Sequence, residues 1–362
     1  MNEAAARVGG PVRIVGAGLL GASIGLSLRT RDVDVILADA SRANLRLAVD
    51  YGAGRTASDD DQPVLVIVCV PPDLTASVVA AELAAFPDAV VTDVASVKVM
   101  PLDELEEAGI ELDRYVGSHP LAGRERGGAI SARADLFFGR PWVVCTRPEL
   151  SRTRVGIVES LALDLGAIPV EMNTVAHDAA VALVSHTPQL VSTLMGKRLV
   201  GSSEAALALA GQGLRDVTRI AGSNPELWVQ ILGANAPAVV DILHAYRDDL
   251  DRVIEALESL DAPGARRALA QELAGGNAGV ERLPGKHGQD RRFSSIVVLV
   301  DDTPGELGRL FTELGEIGVN IEDLRLEHSP GAQIGLAEIA VLPEAQQRTI
   351  EDLTVRGWRI AG

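Results

Sequence analysis

Residues 12–29 read VRIVGAGLLGASIGLSLR: a short β-branched run, a turn punctuated by glycines, and an Ala/Leu-rich stretch in one passage. Val12–Val15 is expected as a strand and Ala22–Arg29 as a helix, joined by Gly16-Ala17-Gly18-Leu19-Leu20-Gly21. In such a strand–turn–helix the first glycine permits the tight turn and the second lets backbone amides approach a pyrophosphate. The third lets helix and strand pack closely. The helix N-terminus, with unpaired N–H groups and the positive end of its dipole, suits an anion. A second strand, Val33–Ala38, ends at Asp39, 18 residues after Gly21, where a carboxylate can accept from both hydroxyls of an adenosine ribose. The same charge repels a 2′-phosphate, so the residues point to NAD over NADP, although Arg42 offers a phosphate partner. The candidate cofactor contacts are Gly16, Gly18, Leu19, Leu20, Gly21, Asp39 and Arg42.

The alternation of apolar runs and helical stretches continues to about Val170, with strands expected at Val64–Val70, Ala89–Val94, Tyr115–Gly117, Trp142–Cys145 and Ile168–Val170. Near-continuous apolar strands separated by helices imply a mostly parallel sheet covered on both faces. From Asn173 to Leu283 the strand signal vanishes. Helices are expected there at His177–Leu199, Ser203–Gly213, Pro225–Ser259 and Pro263–Leu273. The polar run LPGKHGQDRR at 283–292 reads as a linker. After it come strand Ile296–Val300, helix Glu306–Ile317, strands Val319–Leu326 and Ile334–Leu342, helix Gln346–Val355 and strand Trp358–Ile360. That βαββαβ order is the pattern of a ferredoxin-like unit. The expected α/β architecture is a Rossmann-type dinucleotide-binding domain at 1–172, an all-α domain at 173–283, a linker at 284–293 and a ferredoxin-like domain at 294–362.

Composition narrows the function. The 362 residues carry 33 basic and 50 acidic side chains, a net charge of −17. Nucleic-acid binders gather a basic face, so this balance argues against that class. Apolar residues at 47% suffice for a full core, and aromatics at 3% make that core aliphatic. Cys69 and Cys145 lie in strand-like runs and read as small buried hydrophobes in a reduced compartment, not as a disulfide or metal framework. No apolar run reaches the roughly 18 residues of a membrane span, and MNEAAARVGG lacks the pattern of a signal peptide. A cytoplasmic, soluble, metal-free protein is expected.

In parallel sheets ligands bind outside the carboxyl ends of the strands. Two such ends carry reactive side chains: VVTDVASVK at 90–98, with Asp93, Ser96 and Lys98, and YVGSHPLAGRERGG at 115–128, with Ser118 and His119. His119 is expected to leave its strand where a nicotinamide would lie, with Pro120 fixing the turn after it.

These residues resemble the prephenate dehydrogenase family of tyrosine biosynthesis. Gly16–Gly21, Asp93–Lys98 and Ser118-His119-Pro120-Leu121-Ala122-Gly123 follow its motifs in order, and His177-Asp178, Ser185-His186-Thr187-Pro188 and the run GLRDVTRIA at 213–221 continue them. Asp302–Leu307 and Gly318–Ile321 look like parts of an ACT domain, an amino-acid-sensing module. The resemblance covers essentially the whole chain. It implies oxidative decarboxylation of prephenate, with NAD, to 4-hydroxyphenylpyruvate. His119 would be the general base, since a neutral imidazole titrates near working pH. Ser96 would hydrogen-bond the reacting hydroxyl or the imidazole, and Lys98 would help hold that loop beside the substrate. Arg219 would grip a substrate carboxylate through its planar fork. His186 and Glu125 would orient substrate, while Arg124, Arg126 and Arg215 are either positive potential at the mouth or plain surface charge. The resemblance further implies a homodimer built on the helical domain. It also implies a binding site for an aromatic amino acid, tyrosine above all, at Asp302, Pro304, Gly305, Asn320 and Ile321.

Two positions depart from the family pattern. Gln189 stands where many relatives carry a second histidine, and Gln212 where a glycine often precedes Gly213. Both fall near the expected substrate side chain, so arogenate, the amino analogue of prephenate, remains the alternative substrate. A β-hydroxyacid dehydrogenase is a weaker alternative, because the helical region holds only Lys197 where such enzymes rely on a lysine, and Lys286 lies in the linker. An inactive amino-acid sensor would have no need of Ser96, His119 and Arg219 together.

Overall fold

The computed structural model describes residues 5–123, 127–283, 293–328 and 334–361. The chain divides into two compact units, Met1–Arg198 with Thr218–Arg247, and Leu199–Val217 with Asp248–Gly362.

The first unit is built on β1 (Val12–Val15), α1 (Leu19–Arg29), β2 (Val35–Ala38), α2 (Arg42–Asp50), β3 (Arg55–Thr56), β4 (Leu65–Val68), α3 (Pro72–Ala85), β5 (Val90–Asp93), α4 (Val99–Glu107), β6 (Tyr115–Pro120), β7 (Pro141–Cys145), α5 (Arg152–Asp164) and β8 (Ile168–Met172). The strands lie in the order β3-β2-β1-β4-β5-β6-β7-β8. All neighbours are parallel except β6 and β7. The strand order reverses between β1 and β4, which is where a doubly wound sheet opens its ligand crevice. One aliphatic cluster, including Ile14, Ile24, Leu37 and Ile67, and a second, including Val66, Val79, Val91 and Leu105, pack against the sheet. Burial of both faces explains why these strands read as apolar runs without alternation.

Two expectations change here. β3 escapes sequence reading because its two residues are exposed and too few to show a period. β6 does not stop at Gly117: Ser118, His119 and Pro120 pair antiparallel with Val144, Val143 and Trp142. His119 therefore sits within a strand, and Pro120 ends that strand instead of fixing a turn.

The helical region opens with α6 (Thr174–Val181), whose N-terminus is capped by Asn173 accepting from the Ala176 N–H at 2.7 Å. A π-helical turn, Ala182–His186, leads into α7 (Thr187–Leu199). The single helix expected at 203–213 is two short ones, α8 (Glu204–Leu207) and α9 (Gln212–Thr218). A 3₁₀ turn, Arg219–Gly222, precedes α10 (Pro225–Ala234), and a 94° bend at Asn235 separates it from α11 (Ala236–Glu258). α12 (Ala265–Val280) follows. Within one chain α8, α9 and α12 bury none of their residues. Among the described residues, no single helix is long and apolar enough to cross a membrane.

The second unit contains β9 (Ser294–Asp301), α13 (Glu306–Glu316), β10 (Asp323–His328), β11 (Ile334–Val341), α14 (Pro343–Val355) and β12 (Arg359–Ala361). The four strands form an antiparallel sheet in the order β10-β11-β9-β12. Ile296, Val298, Leu310, Leu314, Ile339 and Leu353 are central to its core. Val319–Ile321 precede the strand they were expected to begin, since pairing starts at Asp323. The expected linker lies almost wholly outside the described residues.

Candidate active site

The crevice end of β1 is shaped by glycines whose neighbours are backbone. A Cβ at Gly16 would lie 2.3 Å from the Cys69 carbonyl oxygen, and one at Gly21 would lie 2.0 Å from that of Gly16. Gly18 has open space where its Cβ would be. It caps α1 with no side-chain hydrogen bond, so the first amides of that helix have no capping side chain. Leu19 and Leu20 form its first turn, half-buried. Asp39 lies across the turn and accepts from the Ala17 N–H and the Ser41 N–H, each at 2.7 Å. A carboxylate offers about four lone-pair sites, so two remain for a ribose diol. Arg42, exposed at the start of α2, stands three residues beyond. Narrow glycine turn, uncapped helix and half-occupied carboxylate together fit a dinucleotide.

The chemistry-bearing groups gather at the neighbouring strand ends. The His119 Nδ1 lies 2.9 Å from the His177 Nε2, and the rings meet edge-to-face with centroids 5.1 Å apart. The His177 Nδ1 is 2.7 Å from the Asp178 Oδ1. That carboxylate also accepts from the Lys98 N–H at 2.8 Å and the Val99 N–H at 2.9 Å, across the N-terminus of α4. Burial lowers the pKa of His119 well below the usual imidazole value, helped by neighbouring His177, Lys98 and His186. The ring is therefore neutral at physiological pH.

Beneath this pair lies a buried polar cluster. The Lys98 ammonium pairs with the Asp93 Oδ1, both side chains fully buried, and the Tyr115 hydroxyl donates to the Asp93 Oδ2 at 2.7 Å. Burial beside that carboxylate pushes the Tyr115 hydroxyl well above its ordinary value. The Ser118 hydroxyl donates to the Asp93 carbonyl at 2.8 Å. Lys98 was expected to hold its loop and to bind substrate; its ammonium is committed to Asp93, which ties that loop to β5. Ser96 is half-buried at the same strand end, with no side-chain hydrogen bond among the described residues. His177, not Ser96, is the partner of the imidazole.

His186 is 1% exposed and lies on the π turn, its ring edge-on to Trp228. Its Nδ1 is 3.1 Å from the Asn235 amide nitrogen, which also donates to the Asp178 carbonyl at 2.8 Å. Burial lowers the His186 pKa to about 4. Arg219 begins the 3₁₀ turn with its side chain exposed. Glu125, Arg124 and Arg126 lie outside the described residues. Sequence reading undervalued His177 and Asp178 and missed Asn235. The one available signal for Asn235 was a polar residue interrupting the apolar run of 231–240.

In the second unit, a cleft of about 340 Å³ is lined by Asp302, Pro304, Gly305, Leu307, Leu326 and Leu336, among others. Asn320 and Ile321 do not line it, and the Asn320 amide donates to the Glu322 Oε1 at 2.7 Å.

The family described as prephenate dehydrogenase, nucleotide-binding domain, matches residues 24–171, and its dimerization domain matches residues 173–271. A probable prephenate dehydrogenase, NovF, of Streptomyces niveus is 34% identical over 95% of this chain and 98% of its own. The crystal structure of prephenate dehydrogenase from Aquifex aeolicus, in complex with hydroxyphenyl propionate and NAD+, superposes with a TM-score of 0.66 at 26% identity, covering 74% of this chain and 96% of that one. The Synechocystis arogenate dehydrogenase gives a TM-score of 0.60 at 28% identity, over 74% and 99%.

Proposed function

The chain belongs to the prephenate dehydrogenase family, and on that footing we propose that it converts prephenate to 4-hydroxyphenylpyruvate and carbon dioxide with reduction of NAD. The observation that carries this reading is a neutral imidazole, His119, held through one ring nitrogen at the sheet end beside a dinucleotide cradle. Bound NAD supplies the acceptor for the hydride that leaves the ring carbon bearing the hydroxyl. Gly16, Gly18, Gly21 and the first turn of α1 hold its pyrophosphate, and Asp39 its ribose. The His119 Nε2 takes the hydroxyl proton as the carbonyl forms. It returns that proton to the phenolic oxygen once the ring carboxylate has left as carbon dioxide and the ring has become aromatic. Loss of hydride and carbon dioxide thus balances with no net proton released. Ser96 reaches the same hydroxyl, and Arg219 pairs with a substrate carboxylate, offsetting the repulsion of a −17 protein for a dianion. His186 and Glu125 orient the substrate.

The test is NADH formation with prephenate or arogenate supplied separately. His119→Asn should lower turnover by about 10²–10⁴-fold with NAD affinity nearly unchanged. A loss below about tenfold in a folded variant overturns the assignment. Arogenate is the second reading, favoured by Gln189 in place of a histidine and by the likeness to an arogenate dehydrogenase.

The protein works as a homodimer through the helical domain, in this reading. Leu209 and Val229 are 85% and 72% exposed in one chain, and so apolar a surface calls for a partner. Residues 294–361 act as an ACT domain, supported by the βαββαβ order and by the cleft at Asp302, Pro304 and Gly305, which takes an aromatic amino acid. The three functional domains are then 1–172, 173–283 and 294–362. Free Cys69 and Cys145 fit a reducing cytoplasm.

A further inference from the structure

We propose that His177 and Asp178 form a positioning dyad that sets which nitrogen of His119 carries its proton, and that supports the imidazolium while it holds the proton borrowed from the substrate. The inference rests on the reading of His119 as the base.

The argument is one of donors and acceptors. Asp178 accepts from a backbone amide on each of its two oxygens, at the N-terminus of a helix, and a carboxylate so placed has no proton to give. The His177 Nδ1 must therefore be the donor of their 2.7 Å bond. A neutral His177 then has a bare Nε2, which can only accept. The 2.9 Å contact to His119 consequently needs the His119 Nδ1 to donate, and a neutral His119 is left with a bare Nε2. That nitrogen is the one a general base requires. The reverse polarity would make His177 a cation with no exposed surface. Asp93 neutralises Lys98, and the other titratable groups facing the pair are Asp178 on α6 and His186 on the π turn. Asp178 itself is fixed at the N-terminus of α4, where the helix dipole favours its charge. Once His119 takes the proton, its bond to His177 becomes charge-assisted, and the His177–Asp178 bond strengthens behind it.

The experiment uses the full chain with NAD and prephenate, comparing His177→Phe and His177→Gln by kcat, by the acidic limb of the kcat/KM–pH profile, and by NAD affinity. His177→Phe removes the acceptor. It should cost on the order of 10- to 100-fold in kcat, part of the usual share of general-base catalysis. The acidic limb should move to lower pH, because the imidazolium loses its hydrogen-bonded support, and NAD affinity should hold. His177→Gln retains an acceptor oxygen and should recover most of kcat with a limb near that of the parent. A limb that stays put in His177→Phe, or moves upward as removal of a neighbouring cation would make it, overturns the dyad. So does a Gln variant no better than Phe. If His177→Phe does not fold, the Gln variant and the ¹⁵N shifts of the parent decide: a neutral His119 protonated on Nε2 refutes the proposal. His119→Asn separates the two readings. If that variant stays active, the base assignment itself falls; if it is inactive while the His177 variants keep the parental limb, only the dyad falls.

Discussion

His119 does two things with one imidazole: it stays neutral through burial, and it is held by a hydrogen bond through a single nitrogen. The pH dependence of both activity and stability follows. A base works only when unprotonated, so a pKa held below the unperturbed value of about 6.5 places the acidic limb of kcat/KM below pH 6.5. For stability, an unfolded histidine titrates near 6.5 while His186 in the folded chain titrates near 4. Between those values the unfolded state binds the extra proton, so stability rises with pH. It is fully present above about pH 6.5 and is lost as pH falls toward 4. Melting temperature measured across that window should decline on acidification, and a flat profile would contradict the burial of these rings. The Asp93–Lys98 pair is a different matter. Burying two charges gives little net stability, but removing one partner leaves the other uncompensated, at about 3–5 kcal/mol.

At the level of elements, the β1–α1 turn separates two roles that the glycine spacing merges. Gly21→Ala puts a methyl against the Gly16 carbonyl, which cannot rotate away. That overpacking should cost at least about 1–3 kcal/mol and weaken NAD binding as well. Gly18→Ala meets nothing in the protein. It should keep stability within about 1 kcal/mol, a cost set by alanine as a helix cap, while weakening NAD binding through the methyl itself. Urea midpoints and NAD titrations on the two variants check the contrast; equal stability losses would show that the turn is not built as described. β6 shows another economy. Its first half pairs with β5 and its second half with β7, and the changeover puts His119 on a strand, a firmer mount than a loop.

For the whole molecule, assembly falls to the helices and regulation to the terminal sheet in the proposed reading. A chain ending at Leu283 should remain dimeric by light scattering and keep its turnover on prephenate, while losing any response to added tyrosine. Such a response requires the effector to favour one state of the enzyme over another. If the full chain neither binds tyrosine by calorimetry nor changes rate with phenylalanine, tyrosine or tryptophan, the cleft at Asp302, Pro304 and Gly305 is not a sensor. A monomeric truncated chain would refute the helical interface.

Local chemistry was legible in the sequence of this protein. Val12–Val15, Gly16, Gly21 and Asp39 declare a dinucleotide turn because backbone sterics act between residues close in the chain, and apolar runs declare a doubly covered sheet because burial selects residue type. His119 was legible as a reactive group at a strand end. Three things depended on tertiary structure: that Lys98 turns inward to Asp93, that His177 and not Ser96 holds the imidazole, and that Asn235 links α6 to His186. The last two join residues 49 to 58 apart in sequence, and Asp93 and Lys98, although only five apart, meet through the path the chain takes after β5. Hydrogen-bond direction depends on where two side chains meet in space, and neither periodicity nor composition carries that.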